Sequence, residues 1–277
     1  MLVNQANWDQ RAPIHAASGF YGVDGSREPD SWFADYEWGD LGALDDVDLV
    51  HLQCHLGVES VALARRGARV VGLDISGESV VHARSVAGRF GVDVEYVQAN
   101  VYDAVEALGH RTFDVIYTGK GALCYLPDLA AWAAVVARLL RPGGFLYLVE
   151  FHPLLYSLGV VPASGNSQEL LLRNDYLGGG GVEKRDATYT YTDGPPLPDA
   201  RTAYEWRHGV GDVVSALVGA GLSIDVLRES STLPWPRWRG MVRQPDGWFR
   251  LPDTMPRIPL LYALSARKAL PQAAGSM

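Results

Sequence analysis

The middle of the chain alternates short apolar runs with amphipathic segments. The apolar runs have the length of strands and lie at residues 47–54, 69–73, 94–97, 113–118 and 145–151. Segments with helical spacing separate them, most clearly 129–140, where apolar side chains recur every three or four residues. Strands that alternate with helices in this way predict a parallel sheet with right-handed crossovers.

Two further strands complete the predicted sheet. A helix at 210–220 precedes a strand at 222–227, and a last strand covers 260–266. The pattern therefore predicts an α/β fold, a doubly wound and mostly parallel sheet of about seven strands.

The flanks of this region have a different texture. Residues 152–207 are too many for a simple connection, so we expect an inserted cap there, with a hairpin formed by 187–192 and 201–206. Residues 1–46 are aromatic and acidic, and we expect them to form an N-terminal lid over a domain that covers 47–277.

Composition excludes several classes of protein. The chain has 24 Lys and Arg against 32 Asp and Glu, a net charge of −8, which argues against a nucleic-acid partner. No apolar run approaches the roughly 20 residues of a membrane span, and no secretory signal begins the chain, so we expect no membrane partner. The two cysteines, Cys54 and Cys124, are expected to stay reduced, which favours a cytoplasmic protein.

The segments that follow the strands are the expected ligand site. Open α/β sheets bind ligands beyond the carboxyl ends of their strands. Asp74 ends the second strand, 17 residues after Gly57, and either accepts hydrogen bonds from ribose hydroxyls or caps the next helix. Gly57 is the single glycine of the loop after the first strand, which lacks the G-x-G-x-x-G of a pyrophosphate cradle.

Four segments, in this order and spacing, resemble the motifs of class I S-adenosylmethionine (SAM) dependent methyltransferases. Residues 51–57 (HLQCHLG) are similar to the first motif, in which many members carry an acidic residue and two or three glycines. Residues 71–76 resemble the second motif, 122–128 the segment after the fourth strand, and 139–144 the helix end before the fifth strand. The resemblance runs over about 47–150, more weakly over 205–227, and extends to a branch of actinobacterial-type small-molecule enzymes with this HLQCHLG loop.

The resemblance implies SAM as the cofactor. The loop after the first strand would line its methionine part, Asp74 would hold the ribose hydroxyls, and Asn100 stands where many members have Asp. The reaction would be direct in-line methyl transfer to an O or N nucleophile held at about 3–3.5 Å, with S and C acceptors left open. The cofactor-binding residues implied in this way are Gln53, Cys54, His55, Gly57, Asp74, Ile75, Ser76, Asn100, Val101, Thr118 and Gly119.

Two histidines are candidates for a catalytic base or an orienting group. His152 follows the fifth strand at the ligand edge, and His208 begins the helix after the cap. A purely structural role, as a hydrogen-bonded loop or cap residue, is the alternative for each. The expected substrate-binding residues are aromatic: Trp8, Tyr21, Tyr125 and Trp206.

A metal site and two other functions are the alternatives to this interpretation. His51 and Cys54 point to opposite faces of a strand, and no second cluster would complete a tetrahedral site with His55, so we expect no metal. The alternatives to a SAM-dependent methyltransferase of small molecules are an NAD(P)-dependent oxidoreductase and a catalytically inactive SAM-binding protein. The aromatic flanks are compatible with a homodimer.

Overall fold

The computed structural model describes residues 1–159, 170–179 and 181–271. Its strands are β1 Asp48–Leu52, β2 Arg69–Asp74, β3 Val94–Gln98, β4 Phe113–Thr118, β5 Leu140–Phe151, β6 Glu183–Asp186, β7 Thr202–Glu205, β8 Leu222–Ser230, β9 Thr232–Leu233, β10 Val242–Arg243, β11 Phe249–Arg250 and β12 Leu261–Lys268. Seven of them form the central sheet in the order β3-β2-β1-β4-β5-β12-β8. Only β12 runs against its neighbours in this sheet. The predicted doubly wound, mostly parallel sheet is confirmed.

Helices cover both faces of the sheet. They are α1 Leu2–Ala17, α2 Asp35–Leu41, α3 Val58–Arg65, α4 Gly77–Phe90, α5 Ala104–Ala107, α6 Leu129–Leu139, α7 Pro153–Leu158 and α8 Val210–Gly219. Helices α3 and α4 bury their apolar residues in one core, and α5, α6 and α8 contribute to the core on the opposite face. Successive residues of β1 alternate between the two cores, with Leu49 in the first and Val50 in the second.

Helix α6 shows why the strongest pattern was easy to predict. Its apolar face, which includes Trp132 and Val136, is fully buried against the sheet. The Asp128 side chain accepts a hydrogen bond of 2.9 Å from the amide of Ala131 and so fixes the first turn. The helix ends at Leu139, one residue before the predicted end.

The predicted cap contains a hairpin, but one of its strands was placed wrongly. Strand β7 lies within the predicted 201–206 segment, whereas its partner is β6, not 187–192. Residues after β6 turn inward instead of pairing, because Leu197 is fully buried and Thr190 binds a histidine of α1. Residues 160–169 and 180 of the predicted cap lie outside the described residues.

Helix α1 lies across the carboxyl edge of the sheet and joins it to the cap. The Asn4 side chain donates to the carbonyl of Tyr204 over 2.8 Å and accepts from the amide of Tyr204 over 2.7 Å. On its other side, Asp9 accepts a hydrogen bond of 2.7 Å from the hydroxyl of Ser76, at the start of α4. No helix among the described residues is both long and apolar enough to span a bilayer.

Candidate functional site

A cavity of about 1070 Å³ lies at the carboxyl edge of the sheet. The loops after β1, β2, β3 and β4 form its base, and α1, the β6–β7 hairpin and the segment after β9 form its walls. Most residues predicted to bind cofactor or substrate line it together: Gln53, Cys54, His55, Gly57, Asp74, Ile75, Asn100, Val101 and Gly119, with Trp8, Tyr21 and Tyr125.

The loop after β1 adopts a left-handed conformation at alternate residues. The φ angles are 58° at Gln53, 49° at His55 and 71° at Gly57. A residue other than glycine is disfavoured by roughly 1–2 kcal/mol in this region, so Gln53 and His55 adopt strained conformations. The Gln53 amide compensates in part by donating a hydrogen bond of 2.9 Å to the carbonyl of Ala122. The backbone of this loop therefore adopts conformations typical of glycine at three residues, although only one of them, Gly57, is a glycine.

Asp74 ties this loop to the next one. One carboxylate oxygen accepts a 2.8 Å hydrogen bond from the His55 amide, and the other accepts 2.9 Å from the Ser76 amide. Burial raises the pKa of Asp74 to about 6, and these amide donors act in the opposite direction. The cap of α4 is Ser76, whose hydroxyl accepts from the Ser79 amide, so the alternative role for Asp74 as helix cap is wrong.

Two predicted cofactor-binding residues lie beneath the cavity surface. Ser76 and Thr118 are fully buried and do not line the cavity. The Ser76 hydroxyl is already bound to Asp9 and to the Ser79 amide. The Thr118 hydroxyl has no hydrogen-bond partner among the described residues.

His55 forms a pair with the buried His15. Its Nε2 lies 3.0 Å from Nδ1 of His15, whose other nitrogen lies 2.5 Å from the hydroxyl of Thr190. Burial lowers the pKa of His15 to about 2 and that of His55 to about 3, so both rings are neutral at pH 7. His15 was not predicted as a site residue, but its spacing from Trp8 and Arg11 places all three on one face of α1.

A buried cluster of charges joins the N-terminal segment to the loop after β4. Lys120 Nζ lies 3.1 Å from Glu37 and 3.3 Å from Glu59, and it donates to the carbonyl of Trp32 over 3.0 Å. Burial raises the pKa of Glu37 to about 7. Burial opposes the charged form of Lys120, but the two carboxylates outweigh it and its pKa is raised. Lys120 and Glu59 line the cavity, and neither was predicted from the sequence.

The structure places His152 and His208 outside this cavity. His152 caps α7 by accepting from the Leu154 amide, and its other nitrogen lies 3.0 Å from Glu229. His208 is 2.8 Å from the carbonyl of Leu126. Burial lowers the pKa of both imidazoles. The geometry agrees with the structural alternative and gives neither ring a contact with a ligand in the large cavity.

Trp206 also differs from its predicted position. It lines a separate pocket of about 20 Å³ together with His208 and Tyr156. A space of this size holds about one water molecule, so it cannot take an organic substrate.

His51 is a structural residue of β1. Its Nδ1 lies 2.8 Å from the hydroxyl of Ser60, and burial lowers its pKa to about 4. Within the described residues, His, Cys, Asp and Glu side chains form no group of three or more that could hold a metal ion.

The end of the cavity beyond β5 has an aromatic wall. The Trp235 ring lies 5.3 Å from Phe151, 5.4 Å from Phe20 and 6.1 Å from Trp32, measured between centroids. Nearby, the hydroxyls of Tyr21 and Tyr191 share a hydrogen bond. No common periodicity marks Phe20, Phe151 and Trp235 in the sequence, because they come from distant parts of the chain.

Comparison with known proteins supports the fold. Residues 50–148 match the family model of a methyltransferase domain. A ubiquinone biosynthesis O-methyltransferase from Serratia proteamaculans is 34% identical over 106 residues, which are 38% of this chain. The match spans 43% of that relative's length, less than half of it.

Two solved structures share the fold over most of the chain. A SAM-dependent methyltransferase from Mesorhizobium loti superposes with a TM-score of 0.60 at 21% identity, over 89% of this chain and 100% of that one. Magnesium protoporphyrin IX methyltransferase from Synechocystis, with bound S-adenosylhomocysteine (SAH), gives a TM-score of 0.56 at 17% identity, over 96% and 95% of the two chains. The chain thus has the Rossmann-like methyltransferase fold, and its methyltransferase-domain match contains the loops after β1 to β4.

Proposed function

We propose that the protein is a SAM-dependent methyltransferase that moves the methyl group of SAM to an O or N nucleophile of a small molecule. The observation that carries this proposal is the buried carboxylate of Asp74 at the carboxyl end of β2, on the wall of a large cavity. An acidic side chain at this point suits the two hydroxyls of a ribose. The methyltransferase-domain match and the solved neighbours support the same assignment.

The residues around Asp74 fit the parts of SAM. Ile75 and Val101 offer apolar surface for adenine, beside Asn100. The side-chain oxygen of Gln53 and Nε of Arg11 are among the buried polar atoms that lack partners within the described residues. Both side chains line the cavity, and they would hold the ammonium and carboxylate groups of the methionine part.

The chain's own contribution to the reaction is alignment and the exclusion of water. SAM supplies a methyl group on a positively charged sulfur and leaves as SAH after the methyl has passed to the nucleophile. Helix α1 and the β6–β7 hairpin cover the cavity, and its aromatic wall would hold the acceptor in line. His55 stays neutral at pH 7 and positions the loop after β1. The proposal uses neither His152 nor His208 as a base, since neither lines the cavity.

Ligand-dependent thermal unfolding tests the proposal. SAH and SAM at 100 times their Kd are expected to stabilise the protein by about 2.7 kcal/mol, and NADH is expected to have no effect. Stabilisation by NADH alone would contradict the proposal and favour the oxidoreductase. Incubation with methyl-labelled SAM and pooled small metabolites separates an enzyme from an inactive SAM-binding protein, because only the enzyme moves label into a small molecule.

Finer predictions from the sequence accompany this proposal. We propose that residues 1–46 act as the lid and that the chain belongs to the actinobacterial-type branch with the HLQCHLG loop. The left-handed conformations of Gln53 and His55 support a distinctive form of the first motif. The cytoplasmic location, the absence of a nucleic-acid partner and the homodimer stay predictions from the sequence.

A further inference from the structure

The cavity has room for a second ligand beyond the end that contains Asp74. Pockets for one drug-sized molecule commonly occupy about 300–1,000 Å³, and this cavity has about 1070 Å³. The sheet order places β2 and β5 three strand positions apart, or about 14 Å at the usual strand spacing. A nucleoside held at Asp74 would therefore leave the end beyond β5 free for the methyl acceptor.

Arg237 lines that end of the cavity and has no carboxylate partner among the described residues. It lies on the segment after β9, and its side chain lines the cavity. Its Nε is buried and makes no hydrogen bond with the described residues. Within those residues, no carboxylate oxygen lies in ion-pair distance of its guanidinium. Burial lowers the pKa of Arg237, and the positive charges of Arg185 and Arg207 lower it further. Tyr156 acts in the opposite direction.

The neighbouring charges do not neutralise Arg237. Arg185 pairs with Glu183 over 3.1 Å and with Glu205 over 2.8 Å, and Arg207 pairs with Glu183 over 2.5 Å. The two carboxylates thus pair with Arg185 and Arg207, and Arg237 is left as a third guanidinium without a carboxylate. The excess positive charge at this end of the cavity suits an anionic ligand, because a buried unpaired charge is unfavourable.

Aromatic rings line the same cavity as this charge. Trp235 precedes Arg237 by two residues and packs edge-on against Phe151, with an angle of 79° between the rings. Phe20 meets Trp235 at 63°. A flat ring would contact these side chains while its charged substituent reached the guanidinium.

We propose that the methyl acceptor is an aromatic carboxylate that carries a ring hydroxyl, and that Arg237 binds its carboxylate group. The hydroxyl oxygen takes the methyl as the sulfur–methyl bond of SAM breaks, SAH leaves, and the hydroxyl proton passes to water. Arginine suits this task because its planar fork donates two parallel hydrogen bonds to a carboxylate. This inference rests on the proposed function, since it assigns the acceptor half of the same cavity. Arg237 is a specificity-determining residue in this account and takes no part in the transfer step.

Calorimetry on the full chain saturated with SAH tests the proposal. The probes are salicylate and 4-hydroxybenzoate, each compared with its neutral amide, and phenyl phosphate as the alternative anion. At least one carboxylate is expected to bind tenfold or more tightly than its amide, and phenyl phosphate more weakly than that carboxylate. Arg237→Gln is expected to weaken carboxylate binding by roughly 10- to 100-fold and to remove the preference over the amide. Arg237→Lys keeps the charge but not the planar fork of donors, so it should weaken carboxylate binding less than Arg237→Gln does.

Arg239→Gln is the matched control, because Arg239 is exposed two residues further along the same segment. It is expected to bind the probes as the unmodified protein does. SAH affinity reports whether each variant is folded. The inference would be overturned if carboxylate and amide bound equally, if phenyl phosphate bound more tightly than the carboxylates, or if neither carboxylate bound. It would also be overturned if Arg237→Gln retained the preference for carboxylate over amide. Failure of SAH itself to bind would instead overturn the proposed function.

Discussion

The carboxylate of Asp74 both stabilises the loops around it and faces the cavity. Its hydrogen bonds to the amides of His55 and Ser76 hold two loops together, and its exposed edge borders the cavity. Its burial raises the pKa to about 6, so the group is charged at neutral pH at some expense in stability. A buried acid that destabilises the free protein is typical of a residue kept for binding.

Asp74→Asn is expected to weaken SAH binding by roughly 10- to 100-fold, because hydrogen bonds from the ribose to a charged acceptor are lost. The change retains the size of the side chain but replaces one acceptor oxygen by an NH2 group, so one of the two loop hydrogen bonds is lost. Thermal unfolding without ligand checks that the variant folds. Isothermal titration at pH 8 measures the effect. Asp93→Asn, at an exposed acid before β3, serves as the control. SAH binding of unchanged strength in Asp74→Asn would refute the assignment of the ribose site.

His15 gives a prediction on pH and stability. Burial lowers its pKa to about 2 in the folded protein, whereas an unfolded histidine titrates near 6.5. Below pH 6.5 the unfolded chain binds a proton at this residue and the folded protein does not. The contribution of neutral His15 to the free energy of unfolding is therefore complete above pH 6.5 and decreases as the pH is lowered below that value.

Urea unfolding of the unmodified protein and His15→Gln checks this sign. Between pH 7 and pH 5, the free energy of unfolding of the unmodified protein should decrease by about 2 kcal/mol more than that of His15→Gln. His110→Gln, at an exposed residue, should show no such shift. A His15→Gln difference that stays constant with pH would mean that His15 takes up its proton in the folded state.

At the scale of elements, helix α1 and the β6–β7 hairpin form one cover over the cavity. The paired hydrogen bonds of Asn4 with the backbone of Tyr204 join them, and Asn7 adds a 2.6 Å bond to the carbonyl of Ala200. Asn4 is only 2% exposed, so its removal would leave backbone groups without partners. The cover should therefore loosen as a unit.

Asn4→Ala is expected to destabilise this cover by about 1–3 kcal/mol. Hydrogen exchange should become faster in α1 and in β7 together, and SAH should dissociate faster. Val3→Ala, at an exposed neighbour, is the control. Faster exchange confined to α1, with β7 unchanged, would show that the two elements open independently.

Elements with a strong local pattern were predictable and those fixed by distant contacts were not. Helix α6 could be placed because six buried apolar residues follow its spacing. Strand β6 has mostly exposed, charged residues and pairs only because β7 lies beside it, so no alternation marked it.

At the scale of the whole molecule, the sequence predicted the side of the cavity that contains Asp74 and not the side beyond β5. The residues after β1 to β4 could be predicted because parallel strands end at one edge of the sheet. Trp235 and Arg237 could not, because irregular chain more than 80 residues after β5 brings them to the cavity. His152 and His208 were candidates for a catalytic base because of their positions after a strand and before a helix, and such positions do not fix where a side chain points.

A crystal structure of the full chain with SAH is the most direct test of the account. It predicts that the ribose hydroxyls lie within hydrogen-bond distance of the Asp74 carboxylate, with adenine against Ile75 and Val101. Space lined by Trp235 and Arg237 should stay open beside the sulfur. SAH bound away from Asp74, or filling the cavity as far as Arg237, would contradict the account.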